Sequence, residues 1–187
     1  MIYNIEFQFK AGEFFQNNEF VIPLMVNHVI KHAIGDGCTH LIDAYCGSGL
    51  FSLCSAQHFQ RVEGVEVSEL AVEAARKNAE KNYIKNCNFM CASSEAIFSK
   101  VQDLPRDNTV IIIDPPRKGC DELFLTQLIN FNPKKIVYVS CDPATQARDT
   151  TSIVAGGYQV RDITPFDLFP QTRHIENVIT FIRDYNI

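Results

Sequence analysis

The sequence predicts an α/β domain: a Rossmann-like, doubly wound, mostly parallel sheet with an antiparallel C-terminal strand. Three observations carry this. From residue 39 onward, short apolar runs alternate with segments of helical periodicity. Some of those runs are apolar throughout, as in Val110–Ile113, which is expected of strands covered on both faces. Several runs end abruptly in polar turns marked by glycine or proline, at residues 43–49, 64–66, 114–119 and 140–143. In a sheet of this kind ligands bind outside the carboxyl ends of the strands.

The elements follow in order. Residues 2–9 alternate, with Ile5, Phe7 and Phe9 on one face, and read as a strand or extended arm. Residues 14–18 form a polar turn with aromatics. Residues 19–34 place Phe20, Leu24, Val29 and Ile30 at roughly helical spacing, with Pro23 in the first turn. Thr39–Ala44 is a strand and Leu50–Phe59 a helix. Arg61–Val67 is a strand. The helix from Ser68 to Asn82 carries Leu70, Val72, Ala75 and Ala79, and Ser68 suits its N-cap. Cys87–Cys91 is a strand, Glu95–Val101 a short helix, and Val110–Ile113 a strand. Leu123–Asn130 is a helix, Lys135–Val139 a strand and Ala144–Val154 a helix. Tyr158–Thr164 and Ile175–Ile182 are the last strands, joined by a long loop. With no internal repeat or linker, residues 1–187 read as one domain. Residues 1–18 are its N-terminal arm and 19–187 its core.

Composition narrows the function. At 46% hydrophobic residues the chain buries a full core, and no apolar run reaches the roughly 18 residues of a membrane span. The N-terminus has no signal-peptide pattern, so an intracellular protein, cytoplasmic or nuclear, is expected. Seven cysteines lack paired C-x-x-C spacing, so no metal site is expected. Six read as packing residues in a reducing compartment. The net charge of −5 weighs against a general electrostatic grip on nucleic acid.

The chemistry concentrates at the strand ends. Val137 to Pro143 is a β-branched and aromatic run that stops at Cys141 before Asp142-Pro143. A thiol at such a turn, near a helix N-terminus, can act as a nucleophile. Asp43 to Gly49 is a tight glycine turn leading into a helix, where backbone can approach a ligand. A dinucleotide fingerprint wants a third Gly or Ala near position 52, which is Ser52. Glu66 ends the next strand, where an acid can bind ribose hydroxyls. Asp114-Pro115-Pro116 is a rigid turn, followed by Arg117 and Lys118, a cation pair suited to phosphate. Together these suggest an enzyme holding a nucleotide-like cofactor beside an activated cysteine. Glu176, read from periodicity alone, is an edge-strand charge, and His174 and Gln16 are uninformative by themselves.

Six blocks in order resemble the S-adenosylmethionine-dependent RNA uracil-5-methyltransferases, in particular the eukaryotic, fungal-like tRNA enzymes that make 5-methyluridine in the T-loop. They are Phe14-Phe15-Gln16-Asn17-Asn18, Tyr45-Cys46-Gly47-Ser48-Gly49, Glu66, Asp114 to Gly119, Ser140-Cys141-Asp142-Pro143, and Phe169 to Glu176. The resemblance implies a class I methyltransferase fold with S-adenosyl-L-methionine as cofactor and an RNA substrate, tRNA above all. It gives Cys141 the role of nucleophile at C6 of the uracil and Glu176 that of general base. It assigns cofactor contacts to Gln16, Tyr45, Glu66 and Asp114. Two departures stand out. The nucleophile block usually has Asn where this chain has Asp142, an extra carboxylate expected to raise the thiol pKa. Family members also carry N-terminal RNA-binding regions, so the chain reads as an isolated catalytic domain. Two alternatives remain open at this level: a methyltransferase acting on a nucleobase amino group, and a non-catalytic RNA-binding module. A nicotinamide-dependent oxidoreductase is disfavoured by the missing third glycine.

Overall fold

In the computed structural model, which describes residues 4–8, 18–93 and 96–184, the chain enters helix α1 (Ile22–Ala33) and then alternates strand and helix. The elements are β1 (His40–Ala44), α2 (Leu50–Ser55), β2 (Arg61–Glu66), α3 (Glu69–Lys81), β3 (Cys87–Cys91) and α4 (Ile97–Lys100). They continue with β4 (Thr109–Ile113), α5 (Glu122–Phe131), β5 (Lys135–Ser140), α6 (Pro143–Ala155), β6 (Tyr158–Phe166) and β7 (Glu176–Arg183). The seven strands form one sheet in the order β3-β2-β1-β4-β5-β7-β6. The first five run parallel, and β7 is antiparallel to both β5 and β6.

The period-2 geometry of a strand explains why the central runs are apolar throughout. Ile111 and Ile113 of β4 enter one core layer with Phe124 and Leu128 of α5. Val110 and Ile112 enter the other, with Met25, Val26 and Val29 of α1. β5 divides the same way, Ile136 and Tyr138 against Val137 and Val139. Helix α3 closes a third cluster through Val72, Ala75 and Ala79, against Cys46, Leu53 and Phe89.

Three helices that follow strands begin on a side-chain cap. Ser68 Oγ accepts from Ala71 N, Asp121 Oδ1 from Phe124 N, and Asp142 Oδ1 from Ala144 N and Thr145 N. The N-terminal arm is pinned to α3, since Asn82 Oδ1 accepts from Glu6 N and Asn78 Oδ1 from Gln8 N. Phe9 and residues 14–17, including Gln16, lie outside the described residues.

Several expectations need correction. In α1 the buried stripe is Ile22, Met25, Val26, Val29, Ile30 and Ala33, while Phe20 is 80% and Leu24 62% exposed. Asn18 Oδ1 accepts from Phe20 N and Val21 N in the turn ahead of the helix, and α1 begins only at Ile22 with Val21 at its N-cap. Leu70 of α3 is likewise exposed. The predicted helix 50–59 ends at Ser55 and closes with a 3₁₀ turn over Ala56–His58. Cys91 is exposed and is not a packing residue. Strand β7 is internal to the sheet, which changes the reading of Glu176 below.

Gly64 of β2 shows how tightly the sheet end is filled. A Cβ there would lie 2.5 Å from Phe89 and 3.0 Å from Cys46 Sγ. Gly64→Ala should therefore cost about 1–3 kcal/mol in urea unfolding, as overpacking does. In combination with Phe89→Ala, which removes the opposing ring, the two losses should be less than additive.

Candidate active site

The carboxyl ends of β1, β2, β4 and β5, with the start of β7, converge on one edge of the sheet. At the end of β1 the backbone turns through left-handed conformations at Tyr45 (φ 63°), Gly47 (52°) and Gly49 (90°). A bulky residue rarely adopts this conformation, and such strain is characteristic of sites. Cys46 N donates to Val65 O, which holds the turn against β2. A side chain at Gly49 would press on the Phe89 ring at 3.2 Å, whereas one at Gly47 would meet nothing within 4 Å. Gly47 thus presents open backbone at the strand end. Glu66 accepts from Gly47 N at 3.1 Å and from Ser68 N at 2.9 Å, so one carboxylate joins the turn to the start of α3. The Tyr45 ring meets Phe124 edge-on at 5.5 Å.

Asp43 lies beneath this turn, fully buried. Its Oδ2 accepts from Ser52 N at 2.8 Å and Ser52 Oγ at 2.5 Å, while Oδ1 has no hydrogen-bond partner among the described residues. Burial pushes this carboxyl up to about 7, against the pull of the two Ser52 bonds. Ser52 thus fills the position of the missing third glycine as a partner for a buried acid. Asp43 is a site residue that the sequence reading did not select. The available signal was an acid embedded in an apolar strand just ahead of a glycine turn.

The second half of the site begins at Asp114, whose N–H donates to Ala44 O and ties the Asp-Pro-Pro turn to the end of β1. Burial, then the charges of Glu176 and Asp43, push the Asp114 carboxyl well above its ordinary range. Cys141 follows β5 and is half-buried. Ser140 pairs with Asn177 across β5 and β7, which sets Cys141 beside Glu176. Glu176 is 2% exposed and so is not an edge-strand charge. Burial pushes the Cys141 thiol up, and the charges of Glu176 and Asp114 push it further. The Arg117 guanidinium, by charge and a hydrogen bond, opposes them. Four residues from three separate sequence blocks, Asp114 and Arg117, Cys141, and Glu176, are therefore one electrostatic unit.

Asp142 has a different role from the one expected. The carboxylates that raise the thiol are Glu176 and Asp114, and the Asp142 side chain is engaged in capping α6. Helix α6 in turn holds both halves of the mouth. Gln146 Nε2 donates to Tyr138 O and Asn177 O, and Gln146 Oε1 accepts from Asn177 Nδ2 at 2.7 Å, fixing β5 against β7. Thr145 Oγ1 donates to Arg117 O, and Arg148 Nη2 donates to Lys118 O and Cys120 O. Buried Asp149 accepts from Cys120 N and from the Tyr138 hydroxyl at 2.7 Å. Asn18 donates to Leu168 O, linking the Phe14–Asn18 block to the loop that leads into Glu176. The half-buried His174 ring packs against Phe169.

The family model for tRNA (uracil-5-)-methyltransferases matches residues 3–184. The chain belongs to this family. Among its relatives in the family, the Saccharomyces cerevisiae protein named tRNA (uracil(54)-C(5))-methyltransferase is 46% identical over 183 residues, covering 92% of this chain and 28% of its own. The Schizosaccharomyces pombe protein of the same name is 39% identical, covering 96% of this chain and 36% of its own. The chain thus spans about a third of the length of these two relatives. A crystal structure of Pyrococcus abyssi tRNA (uracil-54, C5)-methyltransferase, in complex with S-adenosyl-L-homocysteine, superimposes with a TM-score of 0.82. It is 31% identical, and the match covers 95% of this chain and 42% of that one. The doubly wound fold with its antiparallel C-terminal strand is that of the tRNA (uracil-5-)-methyltransferase family and its class I neighbours. Among the described residues, no helix is long and apolar enough to cross a membrane.

Two outcomes test the electrostatics. Removing the Arg117 charge leaves the thiol facing two carboxylates, so Arg117→Ala should shift the pH midpoint for alkylation of Cys141 upward, read by mass spectrometry of the labelled peptide. For Asp43 the folded-state pKa, about 7, lies above the ordinary 3.8. Between these values the folded protein binds more protons than the unfolded chain. Its contribution to stability is complete below about pH 4 and is lost as pH rises to about 7. Asp43→Asn retains an acceptor for Ser52 and should flatten that part of the stability–pH curve.

Proposed function

We propose that this chain is the catalytic part of an enzyme transferring a methyl group from S-adenosyl-L-methionine to C5 of a uridine in RNA, with the T-loop uridine of tRNA as target. The observation that carries the proposal is the half-buried Cys141 set beside buried Glu176 by the register of β5 and β7.

The strand-end residues fit a nucleoside-bearing methyl donor. Gly47 leaves open space where a side chain would stand, and the Glu66 carboxylate sits at the β2 end, in position for ribose hydroxyls. Tyr45 would pack near the sulfonium end, and Asp114 and Gln16 would contact polar groups of the donor. The donor supplies an electrophilic methyl group. Uracil C5 is too weak a nucleophile for that group unless the ring is first activated. The Cys141 thiolate forms a bond to C6, and the C5–C6 π electrons move onto the ring carbonyl as an enolate, which makes C5 nucleophilic. After C5 carries the methyl group, Glu176 accepts the C5 proton. The electrons left behind rebuild the C5–C6 double bond and expel Cys141 as thiolate. The chain's contribution is mainly positioning, worth roughly 7–11 kcal/mol in favourable cases. Arg117 stabilises the thiolate and faces the pyrimidine edge or its phosphate. The target base leaves its stack to reach the sulfur.

The acidic balance of the chain and its span of its relatives point to RNA affinity contributed by a further region of the whole protein. The test is incubation with labelled methyl donor and unmodified tRNA, followed by nucleoside analysis. Labelled 5-methyluridine is expected. Cys141→Ala should abolish it with donor binding intact by calorimetry. Glu176→Gln should slow turnover about 10²–10⁴-fold and accumulate a methylated RNA–protein adduct visible as a slow band on a denaturing gel. Full activity of Cys141→Ala would sink the covalent route and favour methylation of a nucleobase amino group.

A further inference from the structure

A second cluster of metal-ligating side chains lies between α1 and the sheet edge. His28 and His32 are four residues apart on α1, so both imidazoles project from one face. Their rings stack at 4.1 Å. Opposite them stands Asp162 of β6. Its Oδ2 is 3.2 Å from His28 Nε2 and 3.9 Å from His32 Nε2, and the three donor atoms lie within 4.8 Å of one another.

The backbone turns Asp162 toward this place. In the β6–β7 ladder Val160 pairs with Phe181 and Asp162 with Thr180, leaving Arg161 as an extra residue. Phe181 faces the α5 side of the sheet, while the Thr180 hydroxyl meets His32 on the α1 side. Residues two apart on a regular strand share a face, so without this bulge Asp162 would follow Val160 away from α1. Bulges commonly re-aim a side chain in this way.

The hydrogen bonding is that of a ligand set more than of a simple ion pair. Thr180 Oγ1 lies 3.0 Å from His32 Nδ1, which orients the ring and commits Nε2 to the cluster. Thr164 Oγ1 donates to Asp162 Oδ2 at 2.9 Å. His28 Nε2 is buried and has no hydrogen-bond partner among the described residues, although Asp162 is adjacent. A tetrahedral zinc with bonds of about 2.05 Å has ligand–ligand edges of about 3.3 Å. The His28–Asp162 separation already meets that length, and His32 Nε2 stands 3.9 Å from the same carboxylate oxygen.

We propose that His28, His32 and Asp162 form a zinc site with two imidazoles, one carboxylate and an open position for water. Zinc there clips α1 to the edge strand. That strand runs through Phe166, whose ring meets His28 at 5.3 Å, into the loop ahead of Glu176. The sequence reading, which looked for paired cysteines, expected no metal.

The test uses chelator-stripped protein under reducing conditions, with Co²⁺ as spectroscopic probe and Zn²⁺ in calorimetry. One equivalent per chain is expected, with tetrahedral cobalt bands and no sulfur-to-cobalt charge transfer. That signature separates the site from the free cysteines. Zinc should raise the melting temperature, and the His28→Ala/His32→Ala variant should lose both effects. If that variant folds poorly without metal, the near-isosteric Asp162→Asn replaces it. Thr180→Val should weaken binding about 10–100-fold, as loss of an orienting partner does. No binding, or binding unchanged in both the double variant and Asp162→Asn, overturns the proposal.

Discussion

A row of carboxyl groups along the strand ends, with Asp43 and Glu176 buried, is the constraint around which this site is organised. Asp43 senses Glu66, Asp114 senses both Glu176 and Asp43, and Cys141 senses Glu176 and Asp114. Burial disfavours charge at each position, and each charge disfavours the next. A thiol in that field is a poor thiolate, and Arg117 is the cation that opposes it. The same arrangement makes the Asp43 and Asp114 carboxyls reluctant to give up their protons.

Holding such groups together costs stability, and the surrounding structure meets that cost with hydrogen bonds and packing. Helix α6 is central. Gln146 satisfies backbone carbonyls on β5 and β7 at once, and Arg148 and Asp149 grip the Lys118–Cys120 backbone. Gly119 is required there, since a Cβ would lie 2.6 Å from Arg148 and 2.7 Å from Asp149. Asp142 is part of the same device: it starts α6 and so orients the helix that holds the mouth.

Much of the site was legible because glycine, proline and acid residues at strand ends are chemically conspicuous. Tyr45, Glu66, Asp114 and Cys141 all fall where the alternation of elements puts them. Glu176 was not legible by the same route. Its position beside the thiol depends on β7 inserting between β5 and β6, and chain order alone makes Ile175–Ile182 look like an outer strand. The α1 stripe failed for a smaller reason. Residues near a helix start are assigned by where the cap falls, and here Val21 is the N-cap, so Phe20 lies ahead of the helix.

By itself the sequence determined the layers of this protein, because hydrophobic period and turn chemistry are local properties of a chain. It determined the ends of the parallel strands, and through its motif blocks the family. Only the tertiary structure decided which distant groups share a field. Asp43 with Asp114, Cys141 with Glu176, and His32 with Asp162 meet through strand order, register and one extra residue in β6. Electrostatics falls with distance in space, and distance in space is set by how strands pair, which no local pattern records.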